Sequence, residues 1–139
     1  MEKVVQIAAT NTLAFALSYV ALMALMSITL AVRVILGRYA AKVALGDGEN
    51  RMLARRIRAH GNFSEYAPFL ALLLVGLALL GAGEWLVHAV GLTGLTGRVL
   101  HAVGLSRTSG PSWPRQAGML LTFAALALGA ISILILAWK

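Results

Sequence analysis

Long apolar runs alternate with short polar ones along this chain. Val4 to Val32 carries no charge, and about 20 apolar residues suffice to cross a bilayer core. A cleavable signal peptide has an apolar core of only about 7–15 residues, so the run is read as a retained first helix. A polar connection follows, GRYAAKVALGDGENRMLARR (Gly37 to Arg56), with Gly46-Asp47-Gly48 as its turn signal. The pattern predicts a second helix from about Arg51 to Leu80, a turn at GAGEW (Gly81 to Trp85) and a third helix from about Trp85 to Leu105. SRTSGPSWP (Ser106 to Pro114) reads as a loop, and a fourth helix runs from about Arg115 to Trp138. The predicted fold is an all-α integral membrane protein, an antiparallel bundle of four transmembrane helices in one domain over residues 1–139.

Composition agrees. The chain is 60% hydrophobic and 12% charged, against about 45–50% and about 25% in soluble domains. It has no cysteine, which excludes disulfides, thiolate metal sites and a protein-borne thiol nucleophile. Any thiol chemistry must take its sulfur from the substrate. The net charge of +7 does not point to nucleic acid, because seven of the twelve Lys and Arg fall between Arg33 and Arg58. Lys3 and Lys139 mark the two ends. That is the loop asymmetry of a membrane protein, and it places the 1–2 and 3–4 loops in the cytoplasm. Trp85, Trp113 and Trp138 fall near span ends, where indole rings favour the interface. HAVGL occurs at His88–Leu92 and at His101–Leu105; two copies make no repeat architecture. GLTGLTG (Gly91 to Gly97) puts small residues where helices approach closely, within the bundle or against another protomer.

The second helix begins with groups that lipid does not solvate. At about 100° per residue, Arg51, Arg55, Arg58, Asn62 and Glu65 share one narrow arc, and His60 points almost opposite. Arg98, His101 and Leu105 share a face of the third helix. Arg33 closes the first helix and Arg115 opens the fourth, at the same level. A charge at mid-membrane costs about 2.5–3.5 kcal/mol, so Glu65 and Arg98 must be paired or hydrated. The bland account pairs them with each other or with Arg58. One carboxylate does not balance Arg51, Arg55, Arg58, Arg98 and Arg115, and snorkelling explains Arg58 and Arg98 poorly. An anionic ligand accounts for the excess. Guanidinium forks suit carboxylates, the lone Glu65 suits an ammonium group, and Asn62 both donates and accepts. Glutathione has that inventory; phosphates and other peptides remain open on chemistry alone.

The segment RAHGNFSEYAPF (Arg58 to Phe69) resembles the helix 2 signature of the membrane-associated proteins in eicosanoid and glutathione metabolism, the MAPEG superfamily. GRVLH (Gly97 to His101) is similar to a helix 3 motif of that superfamily. The GDGE loop, RIRAHGN and the Glu84-Trp85-x-Val87-His88 run look most like its small bacterial branch. The resemblance implies a homotrimer in a bacterial inner membrane, with glutathione held as co-substrate between protomers near the cytosolic face. It implies that Arg58, Asn62, Glu65, Tyr66, Arg98 and His101 bind the tripeptide from one protomer, and Arg33 and His60 from the neighbour. Arg115 is the best match for the thiolate-stabilising arginine, with Arg107 the alternative across a loop of variable length. Leu105 departs from the pattern, standing where the eicosanoid enzymes carry a tyrosine.

The expected activity is conjugation or reduction of lipophilic electrophiles by glutathione thiolate; the alternative is a non-catalytic glutathione-binding or structural protein on the same fold. A proton-coupled multidrug transporter would need an acid deep in a span, typically the first, and Val4–Val32 has none. No metal site is expected, because His88 falls near the opposite membrane face from His60 and His101. A local pair of His88 with Glu84 is the simpler expectation there. Met23 and Met26 are read as lipid-facing or core filler, and Pro68 as a kink that opens a cavity.

Overall fold

The computed structural model describes residues 2–138, with side chains from Asn11 onward. Met1 and Lys139 lie outside the described residues, as does the side chain of Lys3. Four helices account for nearly all of it: α1 (Glu2–Ala41), α2 (Arg51–Leu79), α3 (Glu84–Arg107) and α4 (Trp113–Ala137). All four are long and apolar enough to cross a membrane, and no strand occurs among the described residues. Neighbours run antiparallel, so the α1–α2 and α3–α4 connections lie at one end and the α2–α3 turn at the other.

The largest departure from the sequence reading is α1, which continues past Val32 to Ala41. The connection to α2 is therefore residues 42–50, not Gly37–Arg56. Polar residues suggested a loop, but Gly37 is buried against the second helix, where an added Cβ would meet Leu53 and the Arg56 guanidinium at 3.1 Å. Arg56 Nη1 also donates to the Arg33 carbonyl at 3.2 Å. The polar tip of α1 is held by α2 rather than by lipid. The helix then stops at Lys42 (φ 55), with Lys42 N–H on the Tyr39 carbonyl and Val43 N–H on the Arg38 carbonyl, a Schellman close. Arg38 Nη1 donates onward to the carbonyls of Ala44 and Gly46, at 3.3 and 2.8 Å. Asn50 caps α2, its side-chain oxygen accepting from the Met52 and Leu53 N–H groups at 3.0 Å each.

The core is built from Leu70, Leu74, Leu77, Val87, Val90 and Ala125, with Met23 buried beside them and Met26 packed against the edge. Both methionines are thus core filler. α3 is the most enclosed helix, and GLTGLTG serves packing inside the bundle: Gly94 faces Leu70 of α2 and Ala125 of α4, and Gly97 faces Gly118 and Thr122 of α4. α3 and α4 cross in direct backbone contact. A Cβ on Gly118 would lie 2.5 Å from the His101 nitrogen, and one on Gly104 2.7 Å from the Arg115 nitrogen. The outer faces of α1 (Leu22, Leu25, Ile28) and α4 (Leu120, Ile131, Leu134) are apolar and exposed. Trp85, Trp113 and Trp138 stand exposed at helix ends, as expected of interface residues.

Candidate functional site

The site is centred on Arg98, which is 1% exposed and is the largest fully buried side chain. Its Nε donates to Thr122 Oγ1 at 2.9 Å. Its Nη1 donates to the side-chain and backbone oxygens of Asn62, at 2.9 and 3.3 Å. Its Nη2 contacts the Met119 sulfur at 3.3 Å, and the guanidinium carbon sits 4.8 Å from the Tyr66 ring centre. No carboxylate forms an ion pair with it among the described residues. The cost of burying the charge is offset by hydrogen bonds to three residues and by an aromatic face, which contributes about 0.5–2 kcal/mol.

A guanidinium only donates, so it fixes the Asn62 amide with its oxygen toward Arg98. The amide nitrogen is then turned to Glu65, donating to Oε2 at 3.2 Å. The other Glu65 oxygen lies 3.8 Å from Arg58 Nη1, and these two side chains are 52% and 66% exposed. The site thus has a dry side, Arg98–Asn62–Tyr66, and an open side, Arg58–Glu65. Residues 58, 62, 65 and 66 span roughly two turns of α2 along one face, with Asn62 and Tyr66 on its inner edge and Arg58 and Glu65 on its outer edge.

His101, 4% exposed, lies at the α3–α4 crossing within electrostatic reach of Arg98, Arg115 and Arg58. Arg115 stands in the first turn of α4, partly buried where α3 crosses at Gly104; Arg107 is exposed in the last turn of α3. Neither Arg33 nor His60 joins the cluster by a side-chain hydrogen bond or ion pair among the described residues. Tyr66 packs between Arg98 and Phe123, whose ring is 5.9 Å away. Leu105 is a buried core residue.

Of the two pairings open to Glu65, the one with Arg58 is formed; toward Arg98 it is bridged by Asn62, because Asn62 and not Glu65 faces the bundle interior. The partners missed from sequence are Thr122 and Met119. The signal for Thr122 was there: Gly118 and Thr122, four residues apart in an apolar helix, form the small-residue pattern of a close helix contact. At the far end His88 does not pair with Glu84; its Nδ1 and the Tyr19 hydroxyl are 2.9 Å apart. Pro68 leaves α2 continuous, yet a shallow cavity of about 240 Å³ lies beside it, lined by Met23, Ala24, Phe63, Ala67 and Pro68. Among the described residues there is no cluster of His, Cys, Asp and Glu that could hold a metal.

Four spanning helices enclosing a hydrogen-bonded arginine near one end define a membrane protein with a polar site at the level of two of its loops. The chain matches the MAPEG family over residues 16–135 and belongs to that family. It is similar to the inner membrane protein YecN of Escherichia coli strain K12, 36% identical over 110 residues that cover 79% of this chain and 82% of the relative. The same protein of Escherichia coli O6:H1 strain CFT073 matches with the same identity and coverage.

Proposed function

We propose that this protein is a glutathione-binding enzyme of the bacterial inner membrane, acting as a homotrimer that transfers glutathione to, or reduces, lipophilic electrophiles. The observation that carries this reading is the Arg58–Glu65 pair, held open beside a buried Arg98 that is hydrogen-bonded within the bundle. Family membership and the inner membrane relatives support it. A pair of opposite charges, more than half exposed, at the start of a spanning helix offers what glutathione needs: a guanidinium for a carboxylate and a carboxylate for the ammonium. Arg33 and His60 then belong to the neighbouring protomer's share of the site, and the 1–2 and 3–4 loops face the cytoplasm.

In the reaction Arg115 stabilises the glutathione thiolate. A free thiol titrates near about 8.5, and each unit of lowering takes about 1.4 kcal/mol of preferential thiolate stabilisation. The thiolate sulfur attacks the electrophilic carbon, the new S–C bond forms, and the leaving group departs with the bonding pair. With a hydroperoxide the sulfur attacks oxygen instead, the O–O bond breaks to release the alcohol, and a second glutathione gives the disulfide and water. Leu105 favours one second reading, a non-catalytic glutathione carrier, since a buried leucine stands where the eicosanoid enzymes have a phenol.

Glutathione binding to detergent-purified protein, with thiolate followed by ultraviolet difference absorbance, separates these readings. Thiolate at neutral pH that vanishes in Arg115→Ala is the result expected of the enzyme. Binding without thiolate is the result expected of the carrier, and no binding at millimolar glutathione overturns both.

A further inference from the structure

We propose that Arg98 and Thr122 act as a positioning device that makes the site selective for a ligand ammonium group, and that Arg98 itself does not touch the ligand. This rests on the glutathione reading above and assigns a different task to one of its residues. Arg98 is 1% exposed, and each of its three nitrogens already has a partner, on α2 (Asn62) and on α4 (Thr122 and Met119). A ligand would have to displace these contacts to reach it.

What Arg98 does instead follows from hydrogen-bond polarity. Thr122 donates its hydroxyl proton to the Gly118 carbonyl at 2.7 Å, which leaves its oxygen lone pairs facing Arg98 Nε. With the guanidinium turned by Thr122, Nη1 is aimed at Asn62 Oδ1. The Asn62 amide then has one orientation open to it, with its N–H toward Glu65. The flipped amide would set N–H against N–H at Arg98 and oxygen against carboxylate at Glu65. Glu65 is thereby tethered through one oxygen and keeps the other beside Arg58, in place for an ammonium. The strap runs Gly118–Thr122–Arg98–Asn62–Glu65 and crosses three helices, so the geometry of the α3–α4 contact is read out at the mouth of the site.

Thr122→Val keeps nearly the shape of threonine and removes only the hydroxyl, so a role confined to shape would leave the ligand preference unchanged. The device requires the hydroxyl. The test compares the binding of glutathione and of desamino-glutathione, which lacks the α-ammonium group, by the detergent-solubilised full chain. The wild type is expected to prefer glutathione. In Thr122→Val that preference falls by about tenfold, the scale of one charge-assisted hydrogen bond, while desamino-glutathione binds as before. Thr122→Ser restores the preference. Arg98→Lys, whose single ammonium does not serve Thr122 and Asn62 together in the same fixed geometry, loses it as well and stands in should Thr122→Val not fold. Parallel weakening of both ligands, or an unchanged preference in the valine variant, overturns the device. A wild type that binds neither ligand overturns the glutathione reading itself, and that is seen before any variant is made.

Discussion

Arg58 and Arg98 are both arginines on the same end of the bundle, and the structure gives them opposite standing. Arg98 is buried, with a partner on each of its three nitrogens; the Arg58–Glu65 pair is mostly exposed at 3.8 Å. Exposed ion pairs contribute about 0–1 kcal/mol to stability, whereas a buried guanidinium deprived of its acceptor costs about 1–3 kcal/mol or more. Arg58→Ala should therefore leave thermal unfolding in detergent almost unchanged and abolish glutathione binding. Asn62→Leu should lower the unfolding temperature clearly, because it removes the 2.9 Å side-chain acceptor of Arg98 Nη1 and leaves only the backbone carbonyl at 3.3 Å. Equal thermal losses in both variants would contradict this division. The sequence showed which residues lie on the α2 arc, but not that Asn62 alone turns inward. Helical phase places a side chain on a face, and only the packed neighbour decides whether that face is dry.

Among the elements, the α3–α4 crossing is demanding in its backbones, and α2 is tolerant at Gly61. A Cβ at Gly118 would fall 2.5 Å from the His101 backbone nitrogen, whereas one at Gly61 meets nothing within 4 Å. Gly118→Ala must push two backbones apart. It should cost about 2 kcal/mol or more, in the range of overpacked cores, and should weaken glutathione binding through Arg115 and His101. Gly61→Ala in mid-α2 should stabilise by about 0.4–1 kcal/mol through helix propensity and reduced freedom of the unfolded chain. Thermal unfolding of the two variants side by side checks both signs, and similar shifts would show that the crossing is looser than the backbone distances indicate. Here the sequence was legible in part. The glycine run in α3 announced close packing, and the order of four spans was plain from the apolar runs. The end of α1 was misread because its polar residues look like a loop in isolation; Gly37 lying under Arg56 supplies the reason they stay helical.

For the whole molecule, the open half of the site is the informative feature. One protomer supplies Arg58, Asn62, Glu65 and, at the α3–α4 crossing, His101 and Arg115, while the side chains of Arg33 and His60 take no part in the cluster. The charge pattern alone showed that cations gather at one end; it did not show that the side chains of Arg33 and His60 stand outside the hydrogen-bonded cluster. In a closed ring of three, each site would take Arg58 from one protomer and Arg33 from the next. That arrangement predicts complementation. Arg58→Ala and Arg33→Ala homo-oligomers should each bind no glutathione at concentrations that saturate the wild type. Co-expressed in equal amounts and assembling at random, they should regain about a quarter of the sites, because a site is intact only where an Arg33→Ala subunit supplies Arg58 and its Arg58→Ala neighbour supplies Arg33. Glutathione bound per protomer in the mixed, detergent-purified sample measures that fraction directly. Recovery near a quarter establishes a shared site. No recovery, with each variant inactive alone, means that both arginines serve the same protomer, and the open side of Arg58–Glu65 must then be closed from within the chain.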